Sequence, residues 1–555
     1  MSRYNQGIES HTRKGEVMKY TDHFKTHNRR GQDVRPTEKI PGTNQKRNSG
    51  GGFSFVVDKW TQLNRFLILG SEGGSYYASE KKLTVQNAKN VLACIREDGR
   101  RAVDEIVAVS QAGRAVKNDP AVFALALAAS HGDAETRKYA FEQLQKVCRT
   151  GTHLFGFAES IRSSRGWSKA VSRAFRKWYE QRSTHSLVKQ LTKYQSRNGW
   201  SHRDILRLSH IKTDDEDKAA LYRWAIKGEH DLNLEIAPKN GLEQLWAFER
   251  VKRAKGESEV IKLVQDHKLP WECVPTDKRT AGVWEAMLPH MGLGALIRNL
   301  GSLTSKDVIG RGRWKNNQIV AERLTDAEAL KAQRVHPLSV LVALKIYGQG
   351  HGMRGKLRWS PVSDIKDVLD ETFHLSFDAV EPANKRFLLG LDVSGSMGWA
   401  TIAGMPITPK IGAAAMAMIT RRTEPYSLTM GFSHRLQEVN LGRKDTLETV
   451  IRKLEKIPMG ATNIALPMEY ALQKKIEVDA FVVYTDSEVN CGVRHPAQAL
   501  QRYRDGMGIP ARLIVVGMTA TNFSVADPRD AGSLDIAGFD TAAPGVIRNF
   551  AAGEF

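Results

Sequence analysis

The run KRFLLGLDVSGSMGW, residues 385–399, carries a hydrophobic stretch into an aspartate and then alternates two serines with small residues. Three chemistries use residues of this kind. A nucleophile elbow needs Gly-x-Ser-x-Gly, and neither Ser394 nor Ser396 sits between glycines at that spacing. A phosphate loop needs G-x-x-x-x-G-K-[ST]. The segment GHGMRGKL, residues 350–357, has the glycines and Lys356, but Leu357 stands where the hydroxyl must be, and a helical pattern precedes it. Its glycines read as a turn, with Arg354 and Lys356 as candidate phosphate contacts. A metal site remains. Asp392, Ser394 and Ser396 form D-x-S-x-S after one apolar run; GATN (460–463) adds Thr462, and YTDSE (484–488) adds Asp486 after another. Two carboxylates and three hydroxyls make an all-oxygen set suited to a hard divalent cation, Mg²⁺ foremost. Such a site leaves positions for water or for a partner's carboxylate.

A second concentration of chemistry lies between residues 162 and 210. Lys169, Arg173, Arg176, Lys177, Lys189, Lys193, Arg197, Arg203 and Arg207 fall among Trp167, Trp178, Tyr179, Tyr194, Trp200 and His202. Cationic side chains neutralise phosphates, and aromatic or imidazole rings stack on unpaired bases. Lys169, Arg173 and Arg176 or Lys177, and again Lys189, Lys193 and Arg197, are three or four residues apart, so each set would form one basic stripe on a helix. The tryptophans and Tyr179 read first as core, because repeat helices bury aromatics. His202 follows the turn RNGWS at a helix start and is expected to reach outward.

These residues need elements to hold them. The chain has 555 residues, 41% of them hydrophobic, and a formal net charge of +21. That length implies two or three domains, and the charge favours a polyanionic partner. The four cysteines are scattered, which indicates neither a disulfide framework nor a zinc cluster. The N-terminus lacks an apolar core of signal-peptide length and no long apolar run follows, so a soluble, intracellular protein without membrane association is expected. Residues 1–50 are polar and basic and read as a flexible arm. From 55 to 375 the apolar spacing is helical, as in PAVFALALAAS (120–130) and TRKYAFEQLQKVC (136–148), which predicts an α-solenoid of irregular repeats with no strand-like alternation. From about 385 the texture alternates. RFLLGLD (386–392), SLTMGFS (427–433), AFVVYTD (480–486) and RLIVVGM (512–518) read as buried strands between helical segments, a parallel α/β sheet with helices on both faces. Ligands in such sheets gather at the carboxyl ends of the strands, where Asp392 and Asp486 fall.

Taken together, RFLILGSEGGSYYASEKKLT (65–84), THLFGF (152–157), TKYQSRNGWSHRDILRLSH (192–210), HGMRGKLRW (351–359), KRFLLGLDVSGSM (385–397), VVYTDSE (482–488) and RLIVVGM (512–518) resemble the Ro ribonucleoprotein autoantigen family, bacterial or phage-type members in particular. The C-terminal segment resembles a von Willebrand factor A domain with a metal-ion-dependent adhesion site. The resemblance leaves the arm (1–50) outside it and implies a TROVE module of HEAT-like repeats (51–380) closed into a ring with a basic hole, and a doubly wound A domain (381–555). It implies binding of Y-type noncoding RNAs on the outer basic surface and of the single-stranded 3′ ends of misfolded RNAs in the hole. Association with exoribonucleases, a monomeric cytoplasmic protein and a need for His202 in RNA binding are further implications. No catalytic set is evident: hydroxyls outnumber carboxylates at the metal loops, which fits ligand binding better than metal-assisted hydrolysis. The alternative to RNA binding is a metal-dependent protein-adhesion scaffold whose charge is incidental.

Overall fold

The computed structural model describes residues 33–75, 78–228, 241–353, 355–377 and 381–554. Residues 1–32, most of the expected arm, and Arg354 lie outside them. Residues 33–50, expected to share the arm's flexibility, are instead strapped to the C-terminal domain. Asp33 pairs with Arg494 at 3.0 Å and Arg502 at 2.8 Å, and the Asn48 amide donates to the Val489 carbonyl at 2.8 Å. Strand β1 (Lys46–Arg47) pairs antiparallel with β2 (Phe53–Val56), which pairs antiparallel with residues 523–524. Composition predicted a tail because its polar residues bury little; they are held by hydrogen bonds to distant loops, which composition does not reveal.

Helices follow from Lys59–Leu69 to Ser363–Leu375. Lys169–Glu180 shows why they form. The Ser168 hydroxyl caps the Val171 amide at 3.3 Å, and Val171, Ala174, Phe175, Trp178 and Tyr179 bury one face at helical spacing. The opposite face is cationic. The segment is not strand-free: β3 (Ser196–Arg197) and β4 (Trp200–Ser201) form a hairpin, with Asn198 at φ 53° and Gly199 at φ 76° in its turn. Asn-Gly tolerates these left-handed angles, which match the hairpin's twist.

The C-terminal sheet runs β5 (Arg386–Asp392), β6 (Tyr426–Phe432), β7 (Leu436–Glu438), β8 (Ala480–Thr485), β9 (Arg512–Gly517), and β11 (Ser533–Ala537), with the short β10 (Phe523–Ser524) pairing β2 instead. Its spatial order is β11-β9-β8-β5-β6-β7, all parallel except the edge strand β7. Along β5, Phe387, Leu389 and Leu391 enter one apolar layer and Leu388 the other, so both faces are covered. The chain winds outward from β5 in both directions, which places the switch point between β5 and β8.

The two halves are joined by polar clamps. Arg65, 2% exposed, donates to Asp535 from Nε at 3.0 Å and from Nη2, and to the Thr521 and Phe523 carbonyls at 2.8 Å each. Gly517 permits this: a Cβ there would sit 3.1 Å from the guanidinium carbon. Arg114 pairs with Asp540 at 2.5 Å. Among the described residues no helix is long and apolar enough to cross a membrane, and all four cysteines are free thiols.

Candidate metal centre and nucleic-acid interface

Three loops meet above the carboxyl ends of β5 and β8. Asp392 ends β5 and is 0% exposed; Ser394 and Ser396 follow, at 1% and 4%. The Asp392 carboxylate accepts from the Ser394 amide at 2.9 Å and from the Thr485 hydroxyl at 2.6 Å, and the two serine hydroxyls lie 3.2 Å apart. Asp486 follows β8, accepts from the Glu488 amide at 3.2 Å and from Ser396. The Thr462 loop is bound to both others: the Gly395 amide donates to the Gly460 carbonyl at 3.3 Å, and the Asn490 and Cys491 amides donate to the Thr462 carbonyl at 3.1 and 3.2 Å. The five residues predicted to ligate a metal are thus all buried and on adjoining loops.

Electrostatics test whether a cation fits. Burial raises both Asp392 and Asp486 above the usual carboxylate range, and the charge of Asp486 raises Asp392 further. Two carboxylates without a counter-charge destabilise each other in a low-dielectric site, and a divalent cation relieves that repulsion. The donors are oxygen only, and the described residues hold no grouping of three or more His, Cys, Asp or Glu arranged for a metal. Asp392, Ser394, Ser396, Thr462 and Asp486 would therefore hold a hard cation through two carboxylates. Glu488, 1% exposed, was given no role by its spacing. Its carboxylate accepts from the Gly50 amide at 3.0 Å, and burial together with Asp486 pushes it up to about 7. The N-terminal strap thus reaches the edge of the metal loops.

The basic window resolves into two groups. Lys169, Arg173, Lys177, Lys189, Arg203 and Arg207 are exposed and have no acidic partner among the described residues. Arg176, Lys193 and Arg197 are half-buried. Lys193 lies 3.6 Å from Glu272, and Arg197 pairs with Asp119 at 2.7 Å. The stripe Lys189–Lys193–Arg197 does not exist as drawn: the helix Thr184–Lys193 ends at Lys193, and Arg197 is in β3. Lys169, Arg173 and Lys177 do share a helix. The aromatics are core, as read. Trp167 stacks between Phe175 and Trp200, with ring centroids 4.9 and 5.7 Å away, and the Trp178 indole donates to the Cys148 carbonyl at 2.6 Å.

His202 departs most from expectation. It begins the helix His202–Ser209 behind a Ser201–Asp204 capping box, as the sequence suggested, yet it is 4% exposed. Its Nδ1 lies 2.7 Å from the Tyr179 hydroxyl and its ring meets Phe155 edge-on at 4.8 Å. A Cβ on Gly151 would fall 2.7 Å from Nε2, so that glycine makes room for the ring. Burial lowers the imidazole to about 3, which keeps it neutral. His202 is a joint between two basic helices rather than an outward contact, because an aromatic shelf from earlier helices waits where it turns inward.

The comparisons agree with this architecture. The TROVE domain model matches residues 46–233 and 214–385, and the Ro60 vWA domain model matches residues 386–551. The RNA-binding protein RO60 of Deinococcus radiodurans is 41% identical over 94% of this chain and 98% of its own length. The RNA-binding protein RO60 of Caenorhabditis elegans is 31% identical over 94% and 92%. The crystal structure of the Deinococcus radiodurans RO (RSR) protein superposes with a TM-score of 0.69, covering 90% of this chain and 100% of that one. With both domain models matched in order and relatives alike along almost their whole length, this chain belongs to the Ro60 family.

Proposed function

We propose that this protein is a non-catalytic RNA-binding scaffold of a Ro-type ribonucleoprotein. One observation carries the reading: the helix Lys169–Glu180 presents Lys169, Arg173 and Lys177 to solvent on the face opposite its buried aromatics, with Arg203 and Arg207 exposed on the helix that packs beside it. Unpaired cations on rigid helices fit a polyphosphate backbone. The names of the Deinococcus and Caenorhabditis relatives support it. In this reading Y-type stem-loops lie on the outer basic face. Single-stranded 3′ ends of misfolded RNAs enter a central hole, and an exoribonuclease is a partner in their degradation. Ring closure by a single cytoplasmic chain is supported where late repeats touch early ones: Arg334 Nε donates to the Gln111 carbonyl at 3.0 Å and His336 Nε2 lies 3.2 Å from that of Arg114. The A domain, taken as 381–555 after a repeat module at 51–380, holds Mg²⁺ for docking rather than for cleavage.

Binding of one stem-loop RNA, with and without a single-stranded 3′ tail, across a salt series tests this. Wild type should bind the tailed form more tightly. Lys169→Ala/Arg173→Ala/Lys177→Ala should flatten the slope of log K against log salt by about 2 to 3, at ~0.9 for each duplex phosphate no longer neutralised. Binding indifferent to tail and salt would favour a metal-dependent adhesion scaffold. That second reading draws on Trp399, 74% exposed just beyond the metal loop, and on Met459, 46% exposed, against which a Cβ at Gly398 would collide.

His202 enters as a positioning residue. His202→Ser combined with Lys193→Ala should weaken stem-loop binding while the chain stays folded, with a stability loss of about 2 to 4 kcal/mol from the emptied site. Far-ultraviolet circular dichroism and RNA titration read the two effects separately; unchanged affinity removes His202 and Lys193 from the interface.

A further inference from the structure

Beside the basic helices lies a cavity of about 300 Å³ lined by His202, Arg203, Trp224, Phe248, Glu249 and Lys252, among others. Glu249 is 2% exposed. Its Oε1 accepts from the Trp224 indole at 3.1 Å and from Lys252 Nζ at 2.8 Å. Its Oε2 is buried and meets no donor. A buried carboxylate oxygen without a donor is rare in folded proteins, because desolvating it is costly, so its presence on a cavity wall calls for an explanation. Leu191, Ala225 and Phe248 give the wall its apolar part, beside the polar Gln195 and Ser201; Phe248 is 4% exposed, with the Lys252 ammonium 4.0 Å above its ring. Arg203, exposed at the rim, links the cavity to the cationic surface.

We infer that this cavity receives one extruded, unpaired guanine of the bound RNA, read by Glu249. The inference rests on the RNA-binding reading and adds to it the base and the side chain that reads it. The volume suits a single base between aromatic and aliphatic walls. Guanine is the base with two adjacent donors, N1–H and the N2 amine, beside a keto oxygen. Its donors meet Glu249 Oε2, and its keto oxygen meets the Lys252 ammonium at the rim. Adenine and cytosine place a ring acceptor next to their amine, and uracil flanks its one N–H with two carbonyls, so each would set an acceptor against the carboxylate.

Short oligouridines carrying one central guanosine, adenosine, cytidine or inosine, and oligouridine itself, titrated into the full chain by fluorescence anisotropy, test the inference. The guanosine oligomer should bind about tenfold more tightly than the others, the scale of one good base-edge contact. Inosine, which lacks only the N2 amine, should fall with the weak group; this comparison requires no variant. Glu249→Gln can still accept from Trp224 and Lys252 while turning its amide N–H into the cavity. It should abolish the preference, so that the guanosine oligomer binds the variant no more tightly than oligouridine does. Equal affinity for all five oligomers while RNA binding persists overturns the guanine pocket alone, as does a preference that survives in Glu249→Gln. Absence of binding to every oligomer and to the stem-loop overturns the RNA reading, and the pocket with it.

Discussion

Replacing Arg65 by leucine is expected to lower the stability of the joined domains by about 3 to 5 kcal/mol, the usual consequence of stranding one member of a buried ion pair. The Arg65 side chain is 2% exposed and Asp535 11%, so neither charge is rescued by solvent. Burial already holds the Asp535 carboxyl above the ordinary carboxylate range despite the guanidinium beside it. Without Arg65 it rises further. A carboxyl whose folded pKa exceeds its unfolded value binds protons more tightly in the native state. Native stability therefore falls as pH climbs from the unfolded to the folded pKa. The deficit of Arg65→Leu should thus be largest at and above neutrality and shrink on acidification. Two further hydrogen bonds go with it, to the Thr521 carbonyl just before β10 and to the Phe523 carbonyl within it, the strand that pairs with β2. Arg65→Leu/Asp535→Leu, which removes both charges, should recover much of the loss, since apolar replacement of buried pairs is commonly near neutral. Urea titration across pH reads all three proteins. A deficit that is flat with pH, together with a double variant as weak as the single, would assign the effect to packing and not to charge.

What could be read from the sequence depended on how local each signal was. β5 and β8 were legible because apolar runs end in Asp392 and Asp486, and the D-x-S-x-S spacing needs only a strand end and a tight turn. The edge strands β7 and β11 escaped: Leu436–Glu438 is short and mostly exposed, and Ser533–Ala537 is half-buried, so neither presents an apolar run. The Asn-Gly of the β3–β4 hairpin was visible as a turn, but two-residue strands leave no alternation on either side. His202 shows the sharper limit. Its place at a helix start follows from Ser201 and Asp204 nearby. Which way it faces is decided by Phe155 and Tyr179, brought there by other helices. Likewise Lys193 and Arg197 looked like free cations until Glu272 and Asp119 arrived through the fold. Glu249 had no sequence signal at all, because an unpartnered oxygen is a property of its surroundings. Short-range chemistry was readable; orientation and pairing were tertiary.

Asp392→Asn is expected to make the metal-free protein more stable above neutrality while abolishing its response to Mg²⁺. Both effects come from the same pair. Asp392 and Asp486 are raised by burial and Asp392 by the neighbouring charge, so the metal-free native state gains protons that the unfolded chain has already released. Its stability must then decline as pH rises from the ordinary carboxylate range toward the raised one, and the penalty is complete once both groups are ionised. A divalent cation removes the penalty by supplying the missing charge, with a gain of about 2.7 kcal/mol when its concentration is a hundredfold above Kd. Protons compete for the same oxygens, so the Mg²⁺-induced rise in Tm should be large above neutrality and fade on acidification. Asparagine keeps the shape of the site. Its carbonyl still accepts from the Ser394 amide, now at 2.9 Å, and its amide donates to the Thr485 hydroxyl that now lies 2.6 Å from Oδ2. It removes one of the two charges, and with it both the repulsion and a ligand. The contrast is therefore diagnostic in thermal melts with and without Mg²⁺. A variant that loses stability without metal would show that Asp392 is ionised and satisfied by its hydrogen bonds alone. A variant that still melts higher in Mg²⁺ would place the cation elsewhere. The basic helix at 169–180 is a separate element, so stem-loop affinity should stay nearly intact. A large loss of RNA binding by the folded variant would instead put a phosphate on the metal, and the A domain would become part of the RNA-binding surface.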